Sequence, residues 1–214
     1  MFISLEGIDG SGKTTLVSEV SKRLKITPVV KKHVSSDDVF VNEQIKKIAS
    51  ANYPGYNAIY DPNLSYTYWT YLQCVWYTLI YDYSINPMLK NNQSCVTDGW
   101  YYKFFSKKMT DGHLSLDILE RMFVQVKEPS LVILLDVNPE TVIARQKHFN
   151  SAEAGGHMGK ELSEESFFDY QTQMRENLLE LADRHNWVKI QIEKDEALET
   201  TAARIVEEIL KRKS

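Results

Sequence analysis

Residues 6–15 read EGIDGSGKTT, and their types and spacing suit one task, the holding of phosphate. Gly7, four further residues and then Gly12-Lys13-Thr14 make the pattern GxxxxGK(S/T). Glycines let successive backbone N–H groups turn inward on an anion, and a following helix adds its positive N-terminus. In such a loop Gly7, Asp9, Gly10, Ser11, Gly12, Lys13, Thr14 and Thr15 are the candidate residues for holding a nucleoside triphosphate. Lys13 can reach the β and γ oxygens, and the Thr14 hydroxyl can ligate Mg²⁺. A dinucleotide-type loop is disfavoured, because no GxGxxG can be read here.

The context of the loop supports this reading. The apolar run MFISLE stops at the glycines as a buried strand would, and KTTLVSEVSKRL follows with Leu16, Val20 and Leu24 on one helical face. Further along, strands are expected at ITPVVKKHV, SCVTDG, SLVILLDV and WVKIQI. Helices are expected from a cap at Asp37 or Asp38 to about Ala49, from about Leu64 to Leu89 with Pro87 bending its end, and over SLDILERMFVQV and PETVIARQ. Two more are expected over SEESFFDYQTQMRENLLELADRH, opened by a Ser163–Ser166 capping box, and over ALETTAARIVEEILKRK. Residues 148–162 lose periodicity and carry three glycines, so they read as a mobile loop between two helices. Strands that alternate with helices call for an α/β fold, a parallel sheet covered on both faces, in one domain over residues 1–214.

The bulk numbers narrow the function classes. A chain of 214 residues with 43% hydrophobic and 25% charged residues reads as one globular domain. A net charge of −4 argues against a nucleic-acid groove. Cys74 and Cys95 form no CxxC pair, which argues against a zinc site or disulfide framework and for a reducing, cytoplasmic setting. No apolar run approaches a membrane span.

With these residues in view the chain resembles the thymidylate kinase family of P-loop nucleoside monophosphate kinases. The resemblance rests on FISLEGIDGSGKTT, VTDGW, PSLVILLDVNPETVIARQ and ELSEESFFDYQTQMRENLLELA, in order and over nearly the full chain. It implies a P-loop NTPase-type three-layer sandwich with a lid near residues 148–162. The reaction it implies is transfer of the γ-phosphoryl of ATP, with Mg²⁺, to a nucleoside monophosphate. Such a transfer is mainly a matter of positioning and charge neutralisation. Asp9 matches a family acid near the acceptor's sugar and phosphate. Asp98 matches the acid of the family's Asp-Arg motif, where it can hold Mg²⁺ through water. Arg145 matches an arginine that lies against the adenine. With Lys13, these are the candidate catalytic residues.

Against the family pattern, several positions change type. Residues 8–11 are Ile-Asp-Gly-Ser, so the loop brings no catalytic arginine. Arg145, Lys147, His148 and Lys160 are the lid's candidate cations, since the second lid arginine expected near residue 161 is absent. Asp-Arg becomes Asp98-Gly99, and the arginine-bearing loop after the second strand becomes KKHVSSDD. The family's base-stacking phenylalanine falls near Gln73, and an arginine near Tyr77. Candidates for acceptor binding are therefore Trp69, Gln73, Tyr77, Asp98 and Lys103, with Lys31, Lys32 and His33 as further cations.

YTYWTYLQCVWYTLIYDY sets eight aromatics on one helix. Some can face a nucleobase, but most must serve the core or a homodimer interface. The leading expectation is a kinase of dTMP or a related pyrimidine nucleotide. The alternatives are a kinase of a nucleoside or other small metabolite on the same scaffold, and a catalytically weak nucleotide-binding regulatory protein.

Overall fold

Phe2–Glu6 forms strand β1, and all five of its residues are buried. That pattern requires a strand covered on both faces. The structure, a computed structural model, describes residues 1–31, 34–52, 64–146 and 148–212. Its other strands are β2 (Thr27–Val29), β3 (Cys95–Asp98), β4 (Leu131–Val137) and β5 (Val188–Ile192). They pair in parallel in the order β2-β3-β1-β4-β5, so every link is a crossover. The α/β fold with a parallel central sheet and surrounding helices is therefore as expected. Because the chain runs out to β2 and back through β3 before crossing to β4, the carboxyl ends of β1 and β3 border a crevice where ligands collect in such sheets.

Helix α1 (Lys13–Leu24) buries Leu16, Val17, Val20 and Ser21 and carries Lys22 and Arg23 in its last turn, where cations suit the helix dipole. Strand β2 is shorter than the expected residues 26–34. It pairs only with β3, as a sheet edge, and an edge tolerates the missing N–H of Pro28. Helix α2 (Val39–Asn52) starts at a side-chain cap, with Asp38 Oδ1 accepting from the Val41 N–H at 3.0 Å.

The long helix expected up to Leu89 is built in three pieces. These are α3 (Tyr66–Ile80), a π-helical turn (Tyr81–Ile85) and α4 (Asn86–Lys90). Pro87 would lose one helical hydrogen bond and press on the carbonyl four residues back, and the wider π turn just ahead of it accommodates both.

One helix was not expected. Helix α5 (Tyr102–Thr110) buries Tyr102, Phe105, Ser106 and Lys108. The remaining helices are α6 (Leu116–Phe123), α7 (Pro139–Arg145), α8 (Glu164–Arg184) and α9 (Leu198–Lys211). The expected capping box opens α8, with Ser163 Oγ accepting from the Ser166 N–H at 3.0 Å. The segment between α7 and α8 holds two 3₁₀ turns, Ser151–Ala154 and Gly156–Met158, the first closed by an Asn150–Glu153 capping box. None of the described helices is long and apolar enough to cross a membrane.

Trp100, just past β3, is fully buried. Its ring meets Phe2 and Tyr77 edge-on, with centroids 5.0 and 4.8 Å apart, and its Nε1–H donates to the Lys127 carbonyl at 2.9 Å. Trp100→Ala is expected to lower unfolding free energy by about 3–5 kcal/mol, read by chemical denaturation.

Candidate active site

The phosphate loop leaves β1 and enters α1, beside the end of β3, where Leu5 stands opposite Asp98. The loop lies against α7. A Cβ on Gly10, at φ +75°, would fall 2.3 Å from Val142 Cγ1, so only glycine allows this approach. Ser11 is buried, Gly7 is buried, Gly12 caps α1, and Thr14 and Thr15 are exposed at its first turn.

The Lys13 ammonium turns back over the loop. It donates to the carbonyls of Gly7 (2.9 Å) and Ile8 (2.6 Å) and to Ser11 Oγ (3.1 Å). Burial, then the neighbouring Lys103 charge, pull its pKa down to about 8, although Asp9, Asp98 and Glu6 oppose the shift. The group is therefore charged near neutrality and close to losing that charge.

At the mouth of the loop the Thr14 hydroxyl donates to Asp98 Oδ2. A hydroxyl and a carboxylate brought together from α1 and β3 form a hard oxygen donor pair. This suits Mg²⁺, which takes one or two protein oxygens and completes its shell with water and phosphate. Both residues also line a cavity of about 610 Å³ beside α1 and β2, with Ser18, Val29 and Lys31 among its other walls.

Asp9 faces the other way, into a knot of groups from α5 and α8. Lys103 donates to Asp9 Oδ1, and Gln171 Nε2 lies 3.3 Å from Asp9 Oδ2. Burial alone would raise the Asp9 pKa, but the Lys103 and Lys13 ammonium groups outweigh it and hold the carboxyl at about 2. Gln171 is fully buried, its Oε1 accepts from the Asp9 N–H at 3.0 Å, and its Nε2 donates to the Glu153 carbonyl at 2.7 Å. One side chain thus ties the phosphate loop to the segment between α7 and α8. The same segment is held to the end of α5 by Asp111, which accepts from Lys108 Nζ at 2.9 Å and lies 2.8 Å from His157 Nε2. Burial pushes the Asp111 carboxyl up, yet the hydrogen bonds from His157 and Lys108 bring it down to about 2.

The other expected site residues sit in different surroundings. Arg145 donates to the carbonyls of Glu193 and Lys194, just past β5, at 2.8 and 2.7 Å. His148 and Lys160 are exposed. On α3, Trp69 is half-buried, and Gln73 Nε2 donates to Asn52 Oδ1 at 2.8 Å. Tyr77 packs in the core, its hydroxyl donating to the Trp100 carbonyl at 3.1 Å, which takes the ring out of an open base pocket. Lys32, His33 and Lys147 lie outside the described residues.

Sequence reasoning missed Glu6, Lys107 and Gln171. Glu6 and Gln171 carried a readable signal, an acid closing an apolar strand and a glutamine on the buried face of an amphipathic helix. Half-buried Lys107, whose pKa burial lowers while Asp9 pulls it back up, stood in a stretch to which no element had been assigned.

No family model matches the chain. A probable thymidylate kinase of Sulfolobus acidocaldarius is 30% identical to it over 193 residues, which cover 88% of this chain and 86% of that protein. A thymidylate kinase of Prochlorococcus marinus is 27% identical over 154 residues, covering 69% of this chain and 71% of its own. Likeness of this extent, in a chain with this sheet and this phosphate loop, places it: the chain belongs to the thymidylate kinase family of phosphotransferases.

Proposed function

We propose that the chain transfers the γ-phosphoryl of ATP, with Mg²⁺, to dTMP or a closely related pyrimidine nucleoside monophosphate. The observation that carries this reading is the meeting of Lys13, Thr14 and Asp98 at the carboxyl ends of β1 and β3. A cation over the phosphates and a hard oxygen pair beside it supply the positioning and charge neutralisation that phosphoryl transfer needs. Lys13 would bind the β and γ oxygens, and Thr14 and Asp98 would hold Mg²⁺, which when bound neutralises charge on the transferred group. Asp9, kept ionised by Lys103, would orient the acceptor. Arg145 would flank the adenine. The whole of residues 1–214 would act as one kinase domain.

A second reading, a kinase of an unphosphorylated nucleoside, is favoured by Gly99 alone, since an uncharged acceptor needs no cation at that place. ADP release from ATP and Mg²⁺ decides between the two. With dTMP and thymidine offered side by side, turnover is expected with dTMP. Turnover with thymidine only would put the nucleoside reading in its place, and silence with both would favour a regulatory nucleotide-binding role.

The exposed aromatic face of α3, with Tyr66, Tyr68, Tyr71 and Val75, supports pairing into a homodimer. The free thiols of Cys74 and Cys95 suit a reducing cytoplasm.

A further inference from the structure

The segment between α7 and α8 lies close against its neighbours. Ala154 is fully buried, and the Phe149 ring stands 4.5 Å from that of Phe167 on α8. Gly155, at φ +74°, runs past α8 so closely that a Cβ there would sit 3.0 Å from Tyr170 Cδ2. Two residues on, the His157 ring meets the Tyr170 ring edge-on at 5.7 Å.

His157 also reaches the end of α5, where its Nε2 lies 2.8 Å from Asp111 Oδ1. The Asp111 side chain is only 1% exposed and is ionised, so it can only accept, and the hydrogen between the two belongs to His157. The same carboxylate accepts from Lys108 Nζ of α5 at 2.9 Å and from the Tyr170 hydroxyl of α8 at 3.3 Å. Among the described residues, His157 is the donor that joins the segment itself to this buried acid. Breaking its bond leaves Asp111 with Lys108 and Tyr170, so no buried charge is stranded.

Four residues back from His157, the Glu153 carbonyl accepts from Gln171 Nε2. That bond decides which way the buried amide faces: its NH₂ turns to Glu153, which leaves its oxygen for the Asp9 N–H at 3.0 Å. With the segment undocked, the amide loses the acceptor that orients it.

We propose that His157 is a positioning residue for phosphoryl transfer: its hydrogen bond to Asp111 latches the segment onto α5 and α8 and, through Glu153 and Gln171, sets the place of Asp9 in the phosphate loop. The inference rests on the kinase reading above, in which Asp9 orients the acceptor. Release of the segment and slackening of the loop are then one event.

Amide hydrogen exchange, read residue by residue, needs no turnover and tests the latch in the wild type, His157→Phe and His157→Gln. Phenylalanine keeps a ring against Tyr170 and removes the donor, while glutamine keeps an N–H. Loss of a hydrogen bond to a charged group is expected to speed exchange over residues 151–158 about ten- to hundredfold in His157→Phe, and to speed the Asp9 amide with it. Turnover of dTMP should fall about tenfold with KM for ATP unchanged, and His157→Gln should recover most of both losses. Unchanged exchange in the segment would show that His157 is no latch. Faster exchange there with the Asp9 amide as protected as before would break the link to the phosphate loop, and full turnover in His157→Phe would remove its effect on the reaction. Each of these overturns the inference, as would a lowered unfolding midpoint with the Asp9 amide and kcat unmoved, the mark of a purely structural role. A wild type that phosphorylates neither dTMP nor thymidine would sink the kinase reading and the transfer step with it, while the Asp9 amide would still decide the latch.

Discussion

Lys13→Met is expected to lower turnover by about two to three orders of magnitude, the usual effect of removing one preorganised charge from a site of developing negative charge. The substitution keeps the unbranched stem and removes only the ammonium that now bridges Gly7, Ile8 and Ser11. Its pKa of about 8, lowered first by burial and then by Lys103, adds a second signature. On the proposed reading ATP binds the charged form, which is present below that pKa and lost as pH rises through it. Affinity for ATP in the wild type should therefore weaken above about pH 8, approaching tenfold per unit. The methionine variant should show no such slope. Titration of ATP binding across this range checks both, and a wild-type profile without the slope would remove Lys13 from the phosphate site.

Asp98→Asn should cost about ten- to a hundredfold in apparent affinity for Mg²⁺, with turnover partly restored by excess Mg²⁺. The amide oxygen can still accept from the Thr14 hydroxyl, so the pair would keep its geometry and lose its charge. Asp98 is only half-buried, and Lys13, whose charge it supports, keeps Asp9 and Glu6 beside it. The unfolding midpoint should therefore hold. Normal turnover at limiting Mg²⁺ would show that Asp98 serves the strand end and not the metal.

Both residues were legible before any coordinates. A glycine-rich loop between a buried strand and an amphipathic helix states its own geometry, because the same few residues supply the turn, the donors and the helix end. Four of the five strands could be placed well because runs such as LVILLDV have no other low-energy use in a parallel sheet. The edge strand β2 was overestimated because ITPVVKKHV has β-prone residues for which the sheet offers only one neighbour. Helix α5 escaped because YYKFFSKKMT carries aromatics and lysines on several faces, and its inward face is defined by α8 packing against it.

The donor half of the proposed site is local in sequence, within residues 7–15, so spacing alone set which side chains share the loop. The proposed acceptor half draws on β1, β3, α5, α8 and the residues just past β2, which stand far apart along the chain. Whether Tyr77 turned to a ligand or to Trp100, whether Gln171 met Asp9, and whether Lys31 filled the space at Gly99 were decided by the packing of those elements. Side-chain identity sets what a residue can do, but only the tertiary fold sets which partner a buried polar group finds, because each one left unpaired costs more than any local preference can return.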